Sequence, residues 1–348
     1  MALHTLNCIT VNLYANLTKA LCTTHLEIQL RSLSLRRFVV QRILGMIPLI
    51  IGISLLIFII VRLIPGDPVE VFFGLRPGLE YTPQDIAAVR NQLGLDRPLY
   101  EQYLSWLWRL LHGDFGHSYV FGTPIADELG VHLLNTLKLQ IPSMMLSFLI
   151  AIVLGVNSAA KQYSKSDYAS MSLAIFFWSM PWFWYSLMLM FVFSLYLGWL
   201  PTYGIGTGLV GQIKSMVLPV IVLSTTGAGF LARLVRSCML DVLRQDYVRT
   251  ARSKGLSQRI VIYKHALRNA LLPVVTVMGL YLGYMVSGTA VVETVFAYPG
   301  IGQLLVNAAF YRDYPMIVAT TVVISISVVV SVFLVDILYA YLDPRIRY

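Results

Sequence analysis

Six long windows without a charged residue constrain this chain more than any other feature. They run Ile43 to Val61, Leu139 to Ala160, Tyr168 to Ile213, Ser215 to Ala232, Asn269 to Val292 and Tyr314 to Val335. A helix that crosses the roughly 30 Å hydrocarbon core of a bilayer needs about 20 apolar residues. The third window is long enough for one span and a loop from Gly198 to Lys214, in which Trp199, Pro201 and several glycines oppose a helix. The sequence therefore predicts an all-α integral membrane protein with six transmembrane helices.

Composition supports the same class. Of the 348 residues, 57% are hydrophobic and 12% are charged, which is too little polar surface for a soluble globule of this size. The net charge of +9 is carried by loops between the apolar windows, so it indicates bilayer topology and no nucleic-acid partner. Three cysteines without a CxxC pair predict neither a zinc site nor a disulfide framework.

Lysine and arginine set the predicted orientation, because cytoplasmic loops of membrane proteins are enriched in both. Eighteen of the 26 basic residues lie in the first, third, fifth and seventh segments between windows. Six of the other eight lie in the long segment from Arg62 to Lys138, where the rule has little force. We therefore expect both termini to be cytoplasmic.

The chain divides into three predicted parts. Residues 1–35 read as a poorly ordered N-terminal extension without a cleaved signal. Residues 36–136 hold the first transmembrane helix and a small extracytoplasmic domain between helices 1 and 2, which includes a helix from Leu99 to Leu111 that lies on the membrane surface or on its own small core. Residues 137–348 form a core of five transmembrane helices, and residues 233–268 form a basic cytoplasmic loop between helices 4 and 5.

The apolar windows carry none of the chemistry of an enzyme or an ion-coupled carrier. They contain no Asp, Glu, Lys, Arg or His, and Glu293 and Asp336 stand only at span ends, where an interfacial or capping role is expected. The chain has no HExxH pair, no GxSxG elbow and no phosphate-binding loop. We expect no catalytic, cofactor-binding or metal-binding residues, and any uphill movement must draw its energy from a partner. A stand-alone channel, a secondary carrier and a membrane-embedded enzyme are the less favoured alternatives.

The fifth span carries small residues at helical spacing. Gly279, Gly283 and Ser287 recur every four residues, so one face of the helix is bare enough for another backbone to approach. Helix packing is favoured over the lining of a pathway.

The basic loop, residues 233–268, has internal order as well as charge. It holds nine basic and two acidic residues, and "RQDYVRTARSK" reads as a helix that Gly255 ends with a left-handed turn. Ser257 is positioned to cap a second helix. Ala251, one turn before Gly255, would then share its face, giving a bare patch ringed by cations. Such a patch fits the groove of another protein, and the charge alone also fits a loop that binds lipid headgroups.

Several motifs resemble one family. "LIPGDPV", "LGLDRPLYEQYLSWL", "GDFGHS", "YVRTARSKGLSQRIVIYKHALRNALLP", "FAYPGIGQLLVNAAFYRDYP" and "LYAYLDPRIRY" resemble the dipeptide, oligopeptide and nickel branch of binding-protein-dependent ABC transporter permeases. The resemblance runs from about Arg36 to Tyr348 and implies that residues 246–268 form a coupling loop, seated in a cleft of an ATPase subunit. The family's Glu-Ala-Ala triplet falls on Arg249, Thr250 and Ala251, of which only Ala251 matches, and the Leu-Pro that closes the motif arrives late. The implied coupling residues are Arg249, Thr250, Ala251, Arg252, Lys254, Gly255 and Leu256.

The resemblance also implies partners and a location. The chain would pair with a sister permease, two ABC ATPases that bind ATP and Mg²⁺, and an extracytoplasmic solute-binding protein, within the lipid bilayer of a bacterial inner membrane. Dipeptides or oligopeptides are the favoured cargo. Nickel complexes, glutathione and oligosaccharides are the alternatives within the family.

Overall fold

The structure, a computed structural model, describes residues 35–63, 69, 82–92 and 94–342. For residues 35–38, 89, 92, 280–288 and 338–342 it describes the backbone only. The predicted N-terminal extension and the "PGDP" turn at 65–68 lie outside these residues. The helices are α1 (Leu35–Leu63), α2 (Pro83–Gln92), α3 (Leu99–Leu111), α4 (Ile125–Ala160), α5 (Lys165–Ser179), α6 (Trp182–Leu189), α7 (Gly208–Leu243), α8 (Asp246–Ser253), α9 (Leu267–Val295), α10 (Ile301–Phe310) and α11 (Tyr314–Leu342). A π-helical stretch, Met190–Tyr196, extends α6, and a second, Val261–Ala266, precedes α9 after the short turn Gln258–Ile260. No strand occurs in this part of the chain, so the predicted all-α class is confirmed there.

The third predicted span is broken. Five helices among the described residues are each long and apolar enough to cross a membrane, and a sixth span exists only if α5 and the helix from Trp182 to Tyr196 count as one. These two meet at a bend of 100°. Pro181 stands at the break as the residue before Trp182, where it lacks the N–H that would continue the helix of α5.

Two helices are much longer than the uncharged windows. α4 and α7 have 36 residues each, about 54 Å at 1.5 Å per residue, which exceeds the hydrocarbon thickness. The predicted boundary between residues 136 and 137 consequently falls inside α4. The charged residues Asp127, Glu128 and Lys138 precede the uncharged window but belong to the same helix, since all three residue types are compatible with helical backbone.

The core is built around the contact between α4 and α7, the most extensive helix pair in the structure. Gly155 makes this approach close, because a Cβ there would lie 2.7 Å from the Cβ of Val235. Buried apolar residues from both helices continue into α5 and into the start of α9. The four elements therefore form one packed body from which the basic loop projects.

The helix α3 packs against the helical bundle. α3 has the predicted bounds, and its Trp106 and Leu110 pack with residues of α1 and α11. The hydroxyls of Tyr103 and Ser54 share a hydrogen bond of 2.9 Å. Trp106 and Leu110 are thus covered by helices remote in the chain and not by a separate small core. The alternative that α3 lies on the membrane surface stays a prediction.

Candidate functional site

The basic loop begins as a continuation of α7 and turns back through α8. Arg233 to Leu243 extend α7 beyond its uncharged window, Arg244 ends that helix, and α8 follows after Gln245. The predicted first helix is therefore present as Asp246–Ser253, while the first third of the segment 233–268 belongs to a long helix and not to a loop. That helix joins the loop rigidly to the core.

Gly255 ends α8 as the sequence predicts. Its φ is +76°, in the left-handed region where residues with a Cβ are strained, and its N–H donates to the carbonyl of Arg252 at 3.0 Å. Ser257 then stands at the N-cap of the next helical turn without a capping bond from its side chain, and its carbonyl accepts from Val261. A Cβ on Gly255 would meet nothing within 4 Å, so backbone conformation alone restricts this position.

Ala251 lies on the inner side of α8, contrary to the prediction of a bare exposed patch. It is 7% exposed and packs with Val248 and Val261, supported by Val242 and Leu243. Val248 and Ala251 are three residues apart, so they share the one apolar stripe of a short amphipathic helix, and that stripe covers the core. The same-face argument does not extend to Gly255, because α8 has ended and the left-handed turn redirects the chain.

The outward face of α8 and its turn is polar and positively charged. The remaining residues that the resemblance assigns to coupling are all exposed: Arg249, Thr250, Arg252, Lys254, Gly255 and Leu256. Leu256 is 38% exposed and is the one large apolar side chain among them. This surface, which we call the coupling face, presents three cations around a tight turn.

The base of α8 is fixed to the bundle on two sides. Its apolar stripe packs on Val242 and Leu243 at the end of α7. On the other side, Asn269 in the first turn of α9 donates to the hydroxyl of Tyr247 at 2.7 Å. The helix α8 is consequently in contact with both α7 and α9.

A buried ion pair lies where α4, α5 and α7 meet, next to the basic loop. The guanidinium of Arg236 donates to both oxygens of Asp167, from Nε at 2.9 Å and from Nη2 at 2.8 Å. Asp167 is 2% exposed, and it also accepts from the hydroxyl of Ser158 and from the N–H of Tyr163. Sequence reasoning counted Arg236 only as a loop charge and missed Asp167, whose partner is 69 residues away.

A second buried carboxylate, Glu293, stands at the opposite end of the bundle. Its side chain accepts from the hydroxyl of Thr136 at 2.7 Å and from the N–H of Gln303 at 3.0 Å, in the first turn of α10. A Cβ on Gly300 would overlap this carboxylate, so glycine leaves the room it occupies. Glu293 therefore caps α10 and joins α4, α9 and α10, which agrees with the capping role expected at a span end.

The other residues singled out by sequence are placed as follows. A Cβ on Gly279 would overlap the side chain of Val335 in α11, whereas the side chains around Gly283 and Ser287 lie outside the described set. Asp336 pairs with Arg42 of α1 at 3.0 Å. Within the described ranges no three His, Cys, Asp or Glu residues gather as metal ligands.

The chain matches two family models. Residues 147–348 match the binding-protein-dependent transport system inner membrane component, and residues 35–140 match the N-terminal membrane component of the same systems. Together with the helical bundle and its projecting basic loop, these matches define an ABC-type permease subunit. The chain belongs to the family of binding-protein-dependent transport system inner membrane components, whose members are non-catalytic.

The chain matches several curated relatives over nearly the whole length of each relative. The chain is 43% identical over 317 residues to the oligopeptide transport system permease protein AppB of Bacillus subtilis, across 89% of this chain and 99% of the relative. It is 41% identical to the glutathione transport system permease protein GsiC of Escherichia coli K12 and 40% identical to the dipeptide transport system permease protein DppB of Alkalihalophilus pseudofirmus, with the same coverage. The resemblance inferred from the motifs is confirmed.

Solved structures support the fold. A subunit of the MetNI methionine ABC transporter, in an inward-facing conformation, aligns with 63% of this chain and 98% of its own at a TM-score of 0.54 and 19% identity. A second crystal form of the same transporter aligns with 69% of this chain at a TM-score of 0.52 and 18% identity. At these identities the likeness concerns the fold alone.

Proposed function

We propose that this chain is a membrane subunit of an ATP-driven importer of short peptides, which works with a sister permease, two ATPase subunits and an extracytoplasmic solute-binding protein. The high identity to permeases named for oligopeptides, dipeptides and glutathione supports the cargo, because all three are short peptides. Glutathione alone is a second candidate, since its permeases are nearly as similar as the oligopeptide one. ATP and Mg²⁺ bind to the partner ATPases.

The proposed topology has six spans, both termini in the cytoplasm and the α2–α3 segment outside, in a bacterial inner membrane. The distribution of lysine and arginine supports this orientation. The bent pair α5 and Trp182–Tyr196 supplies the third span in this arrangement. The coupling face then lies on the cytoplasmic side, where ATPases reside.

The observation that carries the coupling proposal is the exposed, cationic turn at Gly255, held on a short helix that is packed against α7. The ATPases close on binding nucleotide, and their movement shifts α8. Because the stripe of Val248 and Ala251 is buried against the end of α7, displacement of α8 moves that long helix. The bundle is thereby biased between outward-open and inward-open states.

Substitution at Gly255 tests this proposal. Gly255→Val introduces a β-branched residue at a φ of +76°, so the turn must rearrange although there is room for the side chain. Gly255→Asn is the matched control, because asparagine tolerates the left-handed region far better. We expect ATP-dependent peptide uptake in reconstituted vesicles to fall about tenfold or more with valine, for roughly 1.4 kcal/mol or more of lost coupling, and to remain near wild type with asparagine.

Membrane insertion and subunit assembly should be unchanged in both variants. Uptake at the wild-type rate by the correctly inserted valine variant would reject the coupling role of the turn. Loss of uptake by both variants in equal measure would show that the residue itself, and not its backbone conformation, is required.

A further inference from the structure

A pocket beside α7 is not explained by coupling or by helix packing. It has a volume of about 370 Å³ and is open on one side. Its apolar wall is formed by Met171 and Ile175 of α5 and by Leu240 of α7. Its polar wall is formed by residues on one side of α7: Arg233, Arg236, Ser237, Asp241 and Arg244. Pockets of a few hundred cubic ångströms with an apolar wall and a few convergent polar groups are typical of small-molecule sites.

Arg233 is the lining residue that a ligand would complement most directly, because its side chain has a nitrogen without a hydrogen-bond partner. Its guanidinium lies over the ring of Trp178, with Cζ 4.1 Å from the ring centroid. The Nε atom of Arg233 is buried and donates to no group in the structure. A planar guanidinium can donate two parallel hydrogen bonds to a carboxylate, and such a ligand would supply the acceptor that this side chain lacks. Its neighbour Arg236 is already engaged by Asp167.

The position of Arg233 strengthens this reading. It directly follows the uncharged window that ends at Ala232, so it stands at the inner edge of the bilayer in the proposed topology. Ionised side chains at such depths face protein or a water-filled cavity, and they mark pathways for polar solutes. Arg233 lines the pocket, which is itself open on one side.

The polar wall also carries an acidic group at a distance that suits a short peptide. Asp241 is eight residues beyond Arg233 on the same helix, which separates their Cα atoms by about 12 Å along the axis. An extended chain advances about 3.3 to 3.6 Å per residue, so the termini of a tripeptide lie roughly 10 Å apart. A cation and an anion at this spacing complement a zwitterion of two or three residues.

We propose that this pocket is a subsite for the transported peptide, in which Arg233 binds the terminal carboxylate and Asp241 the terminal amino group. The inference rests on the proposed function, because it assumes that peptides pass this chain. Longer peptides keep the carboxylate contact and extend through the open side. Short and longer peptides share a free carboxyl terminus, and this is the group that the pocket recognises.

Binding of triglycine to the complete transporter in nanodiscs, without the solute-binding protein, tests the subsite. Saturation-transfer NMR compares triglycine with its C-terminal amide. We expect the free acid to bind on the order of tenfold more tightly than the amide, because one charge-assisted contact is lost with the amide. Arg233→Gln should weaken binding of the free acid to the level of the amide and leave binding of the amide unchanged.

Two further variants make the result specific. Lys214→Gln removes a cation from the other end of α7 and should leave both affinities unchanged. Asp241→Asn should weaken triglycine but not N-acetyl triglycine, which gives a second reading if Arg233→Gln fails to assemble. Equal binding of acid and amide by the wild type, or an unchanged affinity in Arg233→Gln, contradicts the proposal.

An anionic lipid headgroup carries a negatively charged oxygen group similar to the peptide carboxylate. The same preparation distinguishes binding of lipid from binding of peptide. The measurement is repeated in nanodiscs with and without phosphatidylglycerol, with native mass spectrometry to count retained lipid. If a phospholipid is retained by wild type, lost in Arg233→Gln and able to displace triglycine, the pocket binds lipid phosphate and the peptide subsite is wrong. Absence of ATP-dependent uptake by the wild-type transporter with its solute-binding protein would instead reject the proposed function.

Discussion

The two ends of α4 each contact a buried carboxylate, and different kinds of partner stabilise the two carboxylates. Asp167, reached through Ser158, is engaged by the guanidinium of Arg236 with two hydrogen bonds. Glu293, reached through Thr136, accepts from a hydroxyl and from backbone N–H groups, and its described contacts include no cation. One end is held by an ion pair and the other by a helix cap.

The spacing of these two clamps corresponds to the membrane. Thr136 and Ser158 are 22 positions apart on one helix, or about 33 Å at 1.5 Å per residue, close to the hydrocarbon thickness. Each clamp joins α4 to two other helices, to the next helix α5 and the more distant α7 at one end and to α9 and α10 at the other. The comparison teaches that the two carboxylate clamps lie about one hydrocarbon thickness apart. Between them apolar and small residues pack, and one buried hydrogen bond, from the hydroxyl of Ser147 to the carbonyl of Ser224, joins α4 to α7.

The largest loss of stability is expected where a substitution leaves one charge of a buried ion pair without its partner. Asp167→Asn leaves the guanidinium of Arg236 uncompensated, although that side chain is 25% exposed, and we expect the free energy of unfolding to fall by about 3 kcal/mol. Denaturation of the purified subunit in detergent measures this. The double variant Asp167→Asn with Arg236→Met removes both charges and should recover more than half of the loss. If the double variant is as unstable as the single one, the stranded charge is not the cause.

A smaller effect is expected at the capped end. Glu293→Gln keeps the size of the side chain, but the amide nitrogen cannot accept, so either the N–H of Gln303 or the hydroxyl proton of Thr136 loses its acceptor. One hydrogen bond is lost without a stranded cation, so we expect the free energy of unfolding to fall by about 1 to 2 kcal/mol. The same denaturation assay applies, with Thr136→Val for comparison, which removes the hydroxyl that donates to Glu293 and accepts from the N–H of Ile301. A loss at Glu293 as large as that at Asp167 would remove the distinction between the two ends.

Local features of the chain were predictable from sequence. The uncharged windows gave five of the membrane-crossing helices, and the turn at Gly255 and the helix Leu99–Leu111 follow from local residue chemistry. These properties depend on the conformation of a few neighbouring residues and on the bilayer thickness. The family was predictable for a related reason, since its motifs are short and ordered along the chain.

Features set by tertiary packing were not predictable. The inward position of Ala251 depends on where α7 ends, and the pairing of Asp167 with Arg236 depends on a contact across 69 residues. Pro181 disfavours a continuous helix, but the 100° bend depends on how the helices on both sides of it pack. A lone acidic residue just before an uncharged window, as Asp167 is, could have indicated a buried partner, because isolated charges at a membrane boundary are costly unless they are paired.

The exposed pair Asp246 and Arg249 on α8 extends the comparison to an ion pair that we expect to contribute very little to stability. Their N–O distance is 3.7 Å, and the side chains are 95% and 79% exposed. Water competes with such a pair, so we expect Asp246→Asn to change the free energy of unfolding by less than about 0.5 kcal/mol in the same detergent assay. Arg249→Gln should be equally neutral for stability but should weaken the stimulation of ATPase activity by loaded solute-binding protein, because Arg249 lies on the proposed coupling face. A destabilisation by Asp246→Asn comparable to that of Asp167→Asn would mean that charge pairing, and not burial, governs the stability of this bundle.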